Sequence, residues 1–370
     1  MDWSKGFSAK YFLSVVDPVT WRDIEHLDLT DGSITKSADG LRESADISSN
    51  NLDISKERWI RIWLNATQNN DSERVALFTG IMSSPKTKIN YQRLETPLEC
   101  YSVLKPADDI LLPRGYYVPV DIEGAVIIKR LLSVSPAPIE INGESPKLAQ
   151  AIIAEDGETN LTMADKVLEA IGWNLRINGD GTIIIEPYST SSSVIIGTGY
   201  DIVEPEIEIE QDWFSCPNVF RAVSNEISAV ARDESDDSRL SIQNRGREIW
   251  AEETSCQLND NESLAEYAMR RLKELQTTDI IISYNRRYIP DICPGDIITL
   301  NYPAFEEMSM VNYIVSSQTI SLGNGTQVSE TVFKENRSMA EERKAEYVYL
   351  LDEDNDYLRD EDDNVLMSKI

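Results

Sequence analysis

The chain has 370 residues, 41% of them hydrophobic and 27% charged, which is the composition of a folded protein. At this length we expect about two to four domains, because one hydrophobic core seldom serves so many residues. The 64 acidic residues outnumber the 35 basic residues, and the formal net charge of −29 argues against tight, direct nucleic-acid binding, which needs clustered Lys and Arg.

Residue types also limit the chemistry. Four cysteines, Cys100, Cys216, Cys256 and Cys293, are too far apart for a Cys-x-x-Cys zinc or redox site and indicate a reducing compartment. The single histidine, His26, excludes two-histidine zinc motifs and is expected at the surface. There is no Gly-x-Ser-x-Gly elbow and no Gly-rich phosphate loop, and carboxylates are too abundant to indicate a catalytic pair. The sequence therefore predicts no catalytic residues, no cofactor and no metal site.

Two targeting features are missing from the sequence. No run of about eighteen apolar residues occurs, so we expect no transmembrane helix. Residues 1–16 lack the apolar core and the small-residue cleavage site of a signal peptide. We therefore expect synthesis in a cytoplasm and no membrane insertion by this chain.

Residues 1–105 are predicted to be rich in β-strands. Apolar and β-branched segments that read as strands lie at 10–16, 24–29, 59–64 and 75–81. The run Thr30–Ser33 is predicted as a turn, and the polar run Gln68–Asp71 as a loop. Strands that recur every 10 to 15 residues or so, with polar turns between them, indicate a barrel or a sandwich.

Residues 106–199 have a different pattern, with helices and one hairpin. The predicted elements are a helix at 125–132, a two-proline linker at 133–138, a helix at 163–171 capped by Thr162 and ended by Gly172, and strands at 173–177 and 182–187. The strands flank Asn178–Gly181, whose Asn-Gly and Asp-Gly pairs are the strongest short-range hairpin signal. A calcium loop here is disfavoured because no Glu completes the ligand spacing.

Residues 200–334 are predicted to form a second β-rich domain with one helix laid across it. The predicted strands are 202–209, 217–223, 280–284, 296–300, 310–316 and 328–333. An amphipathic helix precedes the third strand, with Leu264, Ala268, Leu272 and Leu275 on its apolar stripe. The last two strands are separated by an Asn-Gly turn at Asn324.

Residues 335–370 form an acidic tail. A charged, helix-prone segment, 335–345, precedes two eight-residue units at 349–356 and 357–364, each with an apolar start and an acidic end. Such short strands bury too little surface to fold alone, so the tail is expected to be frayed or docked on a partner. A calcium loop is disfavoured because Tyr357 occupies the position that needs glycine.

The order of several segments between 160 and 334 resembles a known family. The segments are Ala164–Leu168 with Ile171–Leu175, the hairpin ending at Ile185–Pro187, Pro217–Asn218, Ser238–Arg247, the helix from Ser263, and Pro290–Asp296. In this order they resemble phage baseplate or tail-tip hub proteins of the late-control-D type, which also occur in contractile bacteriocins and related injection machines. The first half of the chain is similar by strand pattern only, and the acidic tail is not part of the usual pattern.

The resemblance implies a mainly β fold with a few helices (α+β) and four parts. These are 1–105, a first tube-like β-barrel; 106–199, an inserted α+β domain; 200–334, a second tube-like β-barrel with the amphipathic helix; and 335–370, the acidic tail. It also implies a non-enzymatic, homotrimeric hub with a pseudo-sixfold ring that joins the tail tube to a spike or tip. An acidic channel wall would let DNA slide without sticking, although the same acidity also suits simple solubility.

The implied partners follow from that position. They are further copies of the chain, a tail tube or distal tail protein, a spike or tip protein, and a tape-measure protein, in the virion tail. DNA would pass through the channel without stable binding.

One basic pair stands out in so acidic a chain. Arg286 and Arg287 follow the strand at 280–284 and are candidates for a subunit interface, where they would meet carboxylates of a neighbour. A solvated turn is the alternative. If they lie at an interface, replacing both by Glu is expected to weaken assembly and leave the monomer folded.

Two other functions are compatible with parts of the sequence. A glycan-binding β-sandwich adhesin of the tail tip would use aromatic pairs, Trp59 with Trp63 and Tyr116 with Tyr117, although strand aromatics usually belong to a core. A cell-wall hydrolase would rest on the abundant carboxylates alone.

Overall fold

A computed structural model of the chain describes most of its residues. The described ranges are 1–3, 5–49, 55–84, 88–90, 93–188, 194–197, 202–211, 213–224, 227–254, 256, 263–276, 280–290, 292–302, 308–323, 326–334, 348–351 and 367–368. Predictions for 335–345, the turn at Asn324 and most of the acidic repeats lie outside these ranges.

The described residues are mostly in strands, with five helices, so the predicted α+β class is confirmed. The strands are β1 (Ser8–Val16), β2 (Asp23–Ser37), β3 (Glu43–Ser49), β4 (Trp59–Gln68), β5 (Asp71–Met82), β6 (Lys88–Asn90), β7 (Arg93–Ser102), β8 (Tyr117–Val118), β9 (Ile139–Ile141), β10 (Ile152–Ile153), β11 (Trp173–Ile177), β12 (Ile183–Pro187), β13 (Val194–Gly197), β14 (Ile202–Gln211), β15 (Val219–Ser224), β16 (Ile227–Arg232), β17 (Trp250–Thr254), β18 (Ile280–Arg287), β19 (Ile297–Asn301), β20 (Ser309–Ser321), β21 (Gln327–Lys334), β22 (Val348–Leu351) and β23 (Met367–Ser368). The helices are α1 (Lys105–Asp108), α2 (Gly124–Leu132), α3 (Asn160–Ile171), α4 (Ile242–Arg245) and α5 (Leu264–Gln276). No helix within the described ranges has the length and apolar character that crossing a membrane requires.

The chain divides into two compact units. The first comprises Met1–Glu208 and Ile282–Val332, and the second comprises Ile209–Ile281 and Phe333–Ile370. The four-part division expected from the resemblance stays a prediction.

Six strands of the first unit pair in a closed circle, which we call the strand ring. β1 pairs with β4, β4 with β5, β5 with β7, β7 with β3, β3 with β2, and β2 returns to β1, always antiparallel. Alternate side chains fill the interior, among them Leu13, Ile34, Ile62, Phe78 and Leu98, all at most 1% exposed. This period-two burial is what the alternating sequence of half-buried strands predicts.

Strand β2 corrects one prediction. The run Thr30–Ser33 lies inside this strand instead of forming a turn. A register shift between Leu29 and Asp31 absorbs one extra residue, as a β-bulge does. The neighbouring glycine is needed for a close approach, because a Cβ at Gly32 would lie 2.7 Å from the Asp46 carbonyl oxygen. The polar loop at Gln68–Asp71 is a tight turn, with φ of 48° and 69° at Asn69 and Asn70.

A second set of strands joins the first through β2. The order continues β2–β20–β21–β18–β14, and β19 pairs with both β20 and β13. The join is antiparallel, with Ser33 opposite Ser321 and Ser37 opposite Ser317. Residues 33–37 and 317–321, which are far apart in sequence, therefore pair within one sheet.

The predicted hairpin and its preceding helix are present in the first unit. α3 begins one turn earlier than predicted, because Thr159 is the cap and Thr162 closes a reciprocal capping box with it. Gly172 ends the helix with φ of 64°. The hairpin turn docks on the strand ring: the Thr79 hydroxyl donates to the Gly179 carbonyl at 2.7 Å.

The second unit has a separate sheet, in the order β17–β15–β16–β22–β23. Helix α5 packs on β15 and β16 through its predicted stripe, where Ala268 and Leu272 are fully buried. Small residues such as Ala222 and Ala229 on the strands let the helix approach closely. The helix therefore covers this sheet, whereas most of the strand that follows it, β18, belongs to the first unit.

A buried ion pair in the first unit gives a pH prediction. Lys36 and Glu43 lie opposite each other on β2 and β3, with Nζ and Oε2 3.5 Å apart, and neither Glu43 oxygen has a hydrogen-bond partner among the described residues. Burial raises the pKa of Glu43 to about 7, although the charge of Lys36 opposes that shift. Because the pKa of Glu43 is raised in the folded state, protonation of Glu43 stabilises the fold. This stabilisation is complete below the ordinary pKa of Glu and is lost as the pH rises through about 7.

We therefore expect the Lys36→Met/Glu43→Leu variant to be more stable than the wild type by about 1–4 kcal/mol at pH 8, because apolar residues avoid the desolvation of both charges. The gain should shrink at pH 5, where Glu43 is protonated. Urea denaturation at both pH values measures it. Asp46→Asn, at an exposed position on the same strand, is the control and should show no such pH dependence. A loss of stability at pH 8 would contradict this account.

Candidate functional site

One face of the large sheet of the first unit is covered by hydroxyl, amide and carboxylate groups. Along β2, Ile34 and Lys36 point into the core and the residues between them point outward. The same alternation holds on the neighbouring strands. The hydroxyl–carboxylate face comprises Glu99 on β7; Ser44, Asp46 and Ser48 on β3; Asp31, Ser33, Thr35 and Ser37 on β2; Ser317, Thr319 and Ser321 on β20; Ser329 and Thr331 on β21; Ser283 and Asn285 on β18; and Glu208 on β14.

The strand register makes this face continuous. Thr35 lies opposite Thr319 across the β2–β20 join. Asp46 lies opposite Ser33 on one side and opposite Glu99 on the other. A one-residue slip of any strand would turn its outward set into the core, so the buried faces fix this arrangement.

Short hydroxyl contacts link the strands on this face. The hydroxyl oxygens of Ser283 and Thr331 are 3.1 Å apart, and the Ser329 hydroxyl donates to the Asn285 amide oxygen at 2.6 Å. Two open grooves run between the side chains. One, of about 440 Å³, is lined by three carboxylates and several serines, and the other, of about 300 Å³, includes Glu208.

Acidic groups outnumber basic groups on the face. Its four carboxylates include a directly opposed pair, Asp46 and Glu99, an arrangement that weakens a sheet because like charges face each other. Arg287, at the end of β18, also lies at an outward position, so it is a basic group on this side of the sheet. A surface of this kind repels phosphate and offers hydrogen bonds to water.

The two predicted interface arginines point to opposite faces of β18. Arg286 is 1% exposed and forms a two-pronged pair with Glu330, from Nε to Oε2 at 2.9 Å and from Nη2 to Oε1 at 2.6 Å. The Tyr284 hydroxyl and the Gln318 amide also donate to this carboxylate, at 2.5 and 2.7 Å. Arg287 is half-buried on the other face.

Arg286 and Arg287 therefore lie in different environments. Arg286 is held inside the chain, so the expectation that both arginines can be exchanged for Glu in a folded monomer does not fit its burial. A Glu at 286 would place two carboxylates together without solvent. The interface role of the pair stays a prediction.

The cluster remains ionised because its partners outweigh burial. Burial alone would raise the pKa of Glu330, but the charge of Arg286 and the three sets of hydrogen bonds hold it below the ordinary value. Burial, together with the Glu330 charge, raises the pKa of Tyr284 well above that of a free phenol. Sequence reasoning missed Glu330, although a charge between Val328 and Val332 on one face of a strand was a usable signal.

The two tryptophans considered for glycan binding pack against other residues of the chain. Trp63 stacks on Phe12 with centroids 6.2 Å apart, and the Arg74 guanidinium lies 3.9 Å from its ring centre. Trp59 packs against Trp21 at 5.5 Å. Tyr117 is 59% exposed. The tryptophan rings are thus occupied within the fold, as the core interpretation expects.

His26 is exposed, as predicted, and its Nδ1 lies 2.8 Å from the hydroxyl oxygen of Ser14. Ser14 itself is fully buried in the strand ring. The hydroxyl is therefore closed to a substrate, and the pair is a cross-strand contact between β1 and β2.

Sequence comparison finds no matching family model and no matching curated protein. Structure comparison finds a tail protein from Neisseria meningitidis, with a TM-score of 0.63 and 16% identity over 88% of this chain and 97% of that one. The 43 kDa tail protein of a Shewanella oneidensis prophage matches with a TM-score of 0.60 and 13% identity, over 87% and 97%. A chain of the Francisella PdpA–VgrG complex matches with a TM-score of 0.55 and 7% identity, over 90% of this chain and 58% of that one. The chain shares the fold of these two tail proteins and of that chain of the PdpA–VgrG complex.

Proposed function

We propose that the chain is a structural, non-enzymatic hub of a phage or phage-like tail. Three copies form a pseudo-sixfold ring that joins the tail tube to a spike or tip, and the hydroxyl–carboxylate face lines the channel. Its partners are the tail tube or distal tail protein, the spike or tip protein and the tape-measure protein. The fold shared with two tail proteins, and with a chain of a complex that contains VgrG, supports this proposal.

The continuity of the face is the observation that carries the proposal. Each chain supplies two sets of strands, β1–β5 with β7 and β13–β14 with β18–β21, joined by the β2–β20 pairing. Three chains would supply six such sets, which suits a threefold ring docked on a sixfold tube. Apart from β13, which lies in the proposed insert 106–199, the strands of the two sets fall in the proposed tube domains 1–105 and 200–334, and 335–370 is the tail.

The location is tested by labelling. Gold-conjugated antibody against the chain should mark one end of isolated tails in electron micrographs. Labelling along the whole shaft, or on the capsid alone, would contradict a hub. The control is the same antibody after it has been absorbed with the purified chain, which should no longer label the tails.

The channel role predicts how the face responds to charge. The purified wild-type chain should show no saturable binding of duplex DNA at about 0.15 M salt, because its carboxylates repel phosphate. Lysine at all four carboxylates of the face (Asp31, Asp46, Glu99 and Glu208) should create binding that weakens steeply as salt rises. The DNA concentration at half-saturation, measured by anisotropy at several salt concentrations, gives the result.

A control with the same change in net charge separates clustering from total charge. It places lysine at four exposed carboxylates of the insert: Asp109, Glu123, Glu140 and Glu144. The face variant should bind at least about tenfold more tightly than this control, because its lysines lie along adjacent strands and contact phosphates together. Equal affinities for the two variants would count against a channel-lining face.

A further inference from the structure

A basic and aromatic patch lies at one end of the sheet of the second unit. Trp213 is 44% exposed and Phe214 is 65% exposed, with ring centroids 6.4 Å apart. The Arg247 guanidinium lies 4.3 Å from the centre of the Phe214 ring. Arg239 lies over Trp213 at 5.9 Å. We call Trp213, Phe214, Arg239, Arg245 and Arg247 the arginine–aromatic patch.

The local fold holds this patch in place. Ser241 caps the short helix α4, and Gly246 ends it with φ of 64°, which reverses the chain between the two arginines. Arg245 donates to the carbonyl oxygens of Phe214 and Cys216, at 2.6 and 2.7 Å, and Arg247 donates to that of Phe214 at 3.1 Å. These hydrogen bonds hold Arg245 and Arg247 in fixed positions next to the Phe214 main chain.

Two arginines of the patch, Arg245 and Arg247, have no carboxylate partner among the described residues. Both bond to main-chain carbonyls. The nearest acidic residue in sequence, Glu248, is paired with Arg232 and accepts from the Trp250 ring nitrogen. Burial, and then the charge of Arg247, lowers the pKa of Arg245. An anion bound here would relieve that repulsion.

The sequence itself contains a complementary segment. Residues 352–363 carry eight carboxylates and one arginine, and Tyr357 and Leu358 interrupt the acidic run. Carboxylates suit guanidinium groups, and Tyr and Leu suit exposed Trp and Phe rings. A nucleic acid fits less well, because the chain as a whole is strongly acidic and three guanidinium groups neutralise few phosphates.

The strand register favours a segment from another copy. β22 ends at Leu351, opposite Ser228 at the start of β16. The patch adjoins the other end of the same sheet, where Val219 lies opposite Arg232. The described strand β22 therefore ends at the opposite end of the sheet from the patch of its own chain.

We propose that the arginine–aromatic patch binds the acidic segment 352–363 of a second copy of this chain. The contact is head-to-tail, which closes into a ring when the rotation between copies divides a full turn. It concerns surfaces of the second unit alone and is testable whether or not the chain is a tail hub.

The test uses a labelled synthetic peptide of residues 352–366 and the full-length chain. In that chain the acidic residues at 352–363 are replaced by their amides, so that its own tail does not compete. We expect saturable binding in fluorescence anisotropy that weakens as salt rises. Arg245→Glu/Arg247→Glu should raise the Kd at least about tenfold, because attraction becomes repulsion. Lys129→Glu/Arg130→Glu, with the same change in charge on exposed residues of α2, should leave it within about twofold.

Two further measurements separate charge from folding. Arg245→Lys/Arg247→Lys keeps the charge and should retain most of the binding. A peptide with Lys in place of its acidic residues should bind the double-Glu variant and not the parent chain. Absence of saturable binding to the parent chain, or equal binding to the double-Glu variant, would overturn the proposal. Tighter, patch-dependent binding of a fifteen-nucleotide oligo-dT would overturn it in favour of single-stranded nucleic acid.

Discussion

Replacing Arg286 by methionine is expected to lower the free energy of unfolding of the first unit by about 3–5 kcal/mol, because it leaves a buried carboxylate without its cation. Glu330 is 1% exposed, and of the described residues only Tyr284 and Gln318 would still donate to it. The midpoint of urea denaturation measures the loss.

The adjacent residue is a matched control. Arg287→Met removes the same side chain from the other face of the same strand, where the group is half-buried, and should cost no more than about 1 kcal/mol. Arg286→Met/Glu330→Leu should recover most of the loss, since both charges are then removed. Equal losses for the two single variants would contradict the assignment of Arg286 to the core.

The cost of losing Arg286 should also depend on pH. The pKa of Glu330 is lowered in the fold, so its contribution to stability is present above the ordinary Glu value and is lost as the pH falls through the lower folded value. The difference between the wild type and Arg286→Met should therefore shrink in acid. A difference that grows as the pH falls would contradict the ion pair.

Replacing Gly179 by alanine is expected to cost about 2–3 kcal/mol or more, because an added Cβ overpacks a rigid contact. The Cβ would lie 1.8 Å from the main-chain oxygen of Ala76 on β5, which has no rotamer to yield. The turn would have to move away and lose the hydrogen bonds from Arg61 and Trp21 to the Asp180 carbonyl, both 2.9 Å.

The result is read by urea denaturation and by hydrogen exchange of β11 and β12. Gly323→Ala is the control, since a Cβ there meets nothing within 4 Å and no positive φ is involved. Unchanged exchange in the Gly179→Ala hairpin would show that the turn is not seated on the strand ring.

Local signals in the sequence predicted local structure. The Asn178–Gly181 turn and the stripe of Ala268 and Leu272 were found because turn residues and helical periodicity act within a few neighbouring residues. The run Thr30–Ser33 was wrongly predicted as a turn because a β-bulge and the close approach of Asp46 are set by a partner strand. Thr162 was taken for the cap in place of Thr159, a shift of one helical turn within the same capping box.

The candidate site needed long-range information. Each strand's outward Ser, Thr and acidic residues can be read from its alternation, but the pairing of Ser33 with Ser321 cannot, because no local rule sets a register across so many residues. The same holds for Arg286 and Glu330, which meet only when β18 and β21 are adjacent. Charge composition predicted an acidic surface, and the pairings show where a hydroxyl–carboxylate face gathers those groups.

A cryo-electron microscopy reconstruction of the assembled tail tests the central claim most directly. The account predicts a ring of three copies, with six strand sets around the axis and Thr35, Asp46 and Thr319 facing the channel. A ring in which this face lies on the outside or against another protein, or a tail that holds a single copy of the chain, would contradict it.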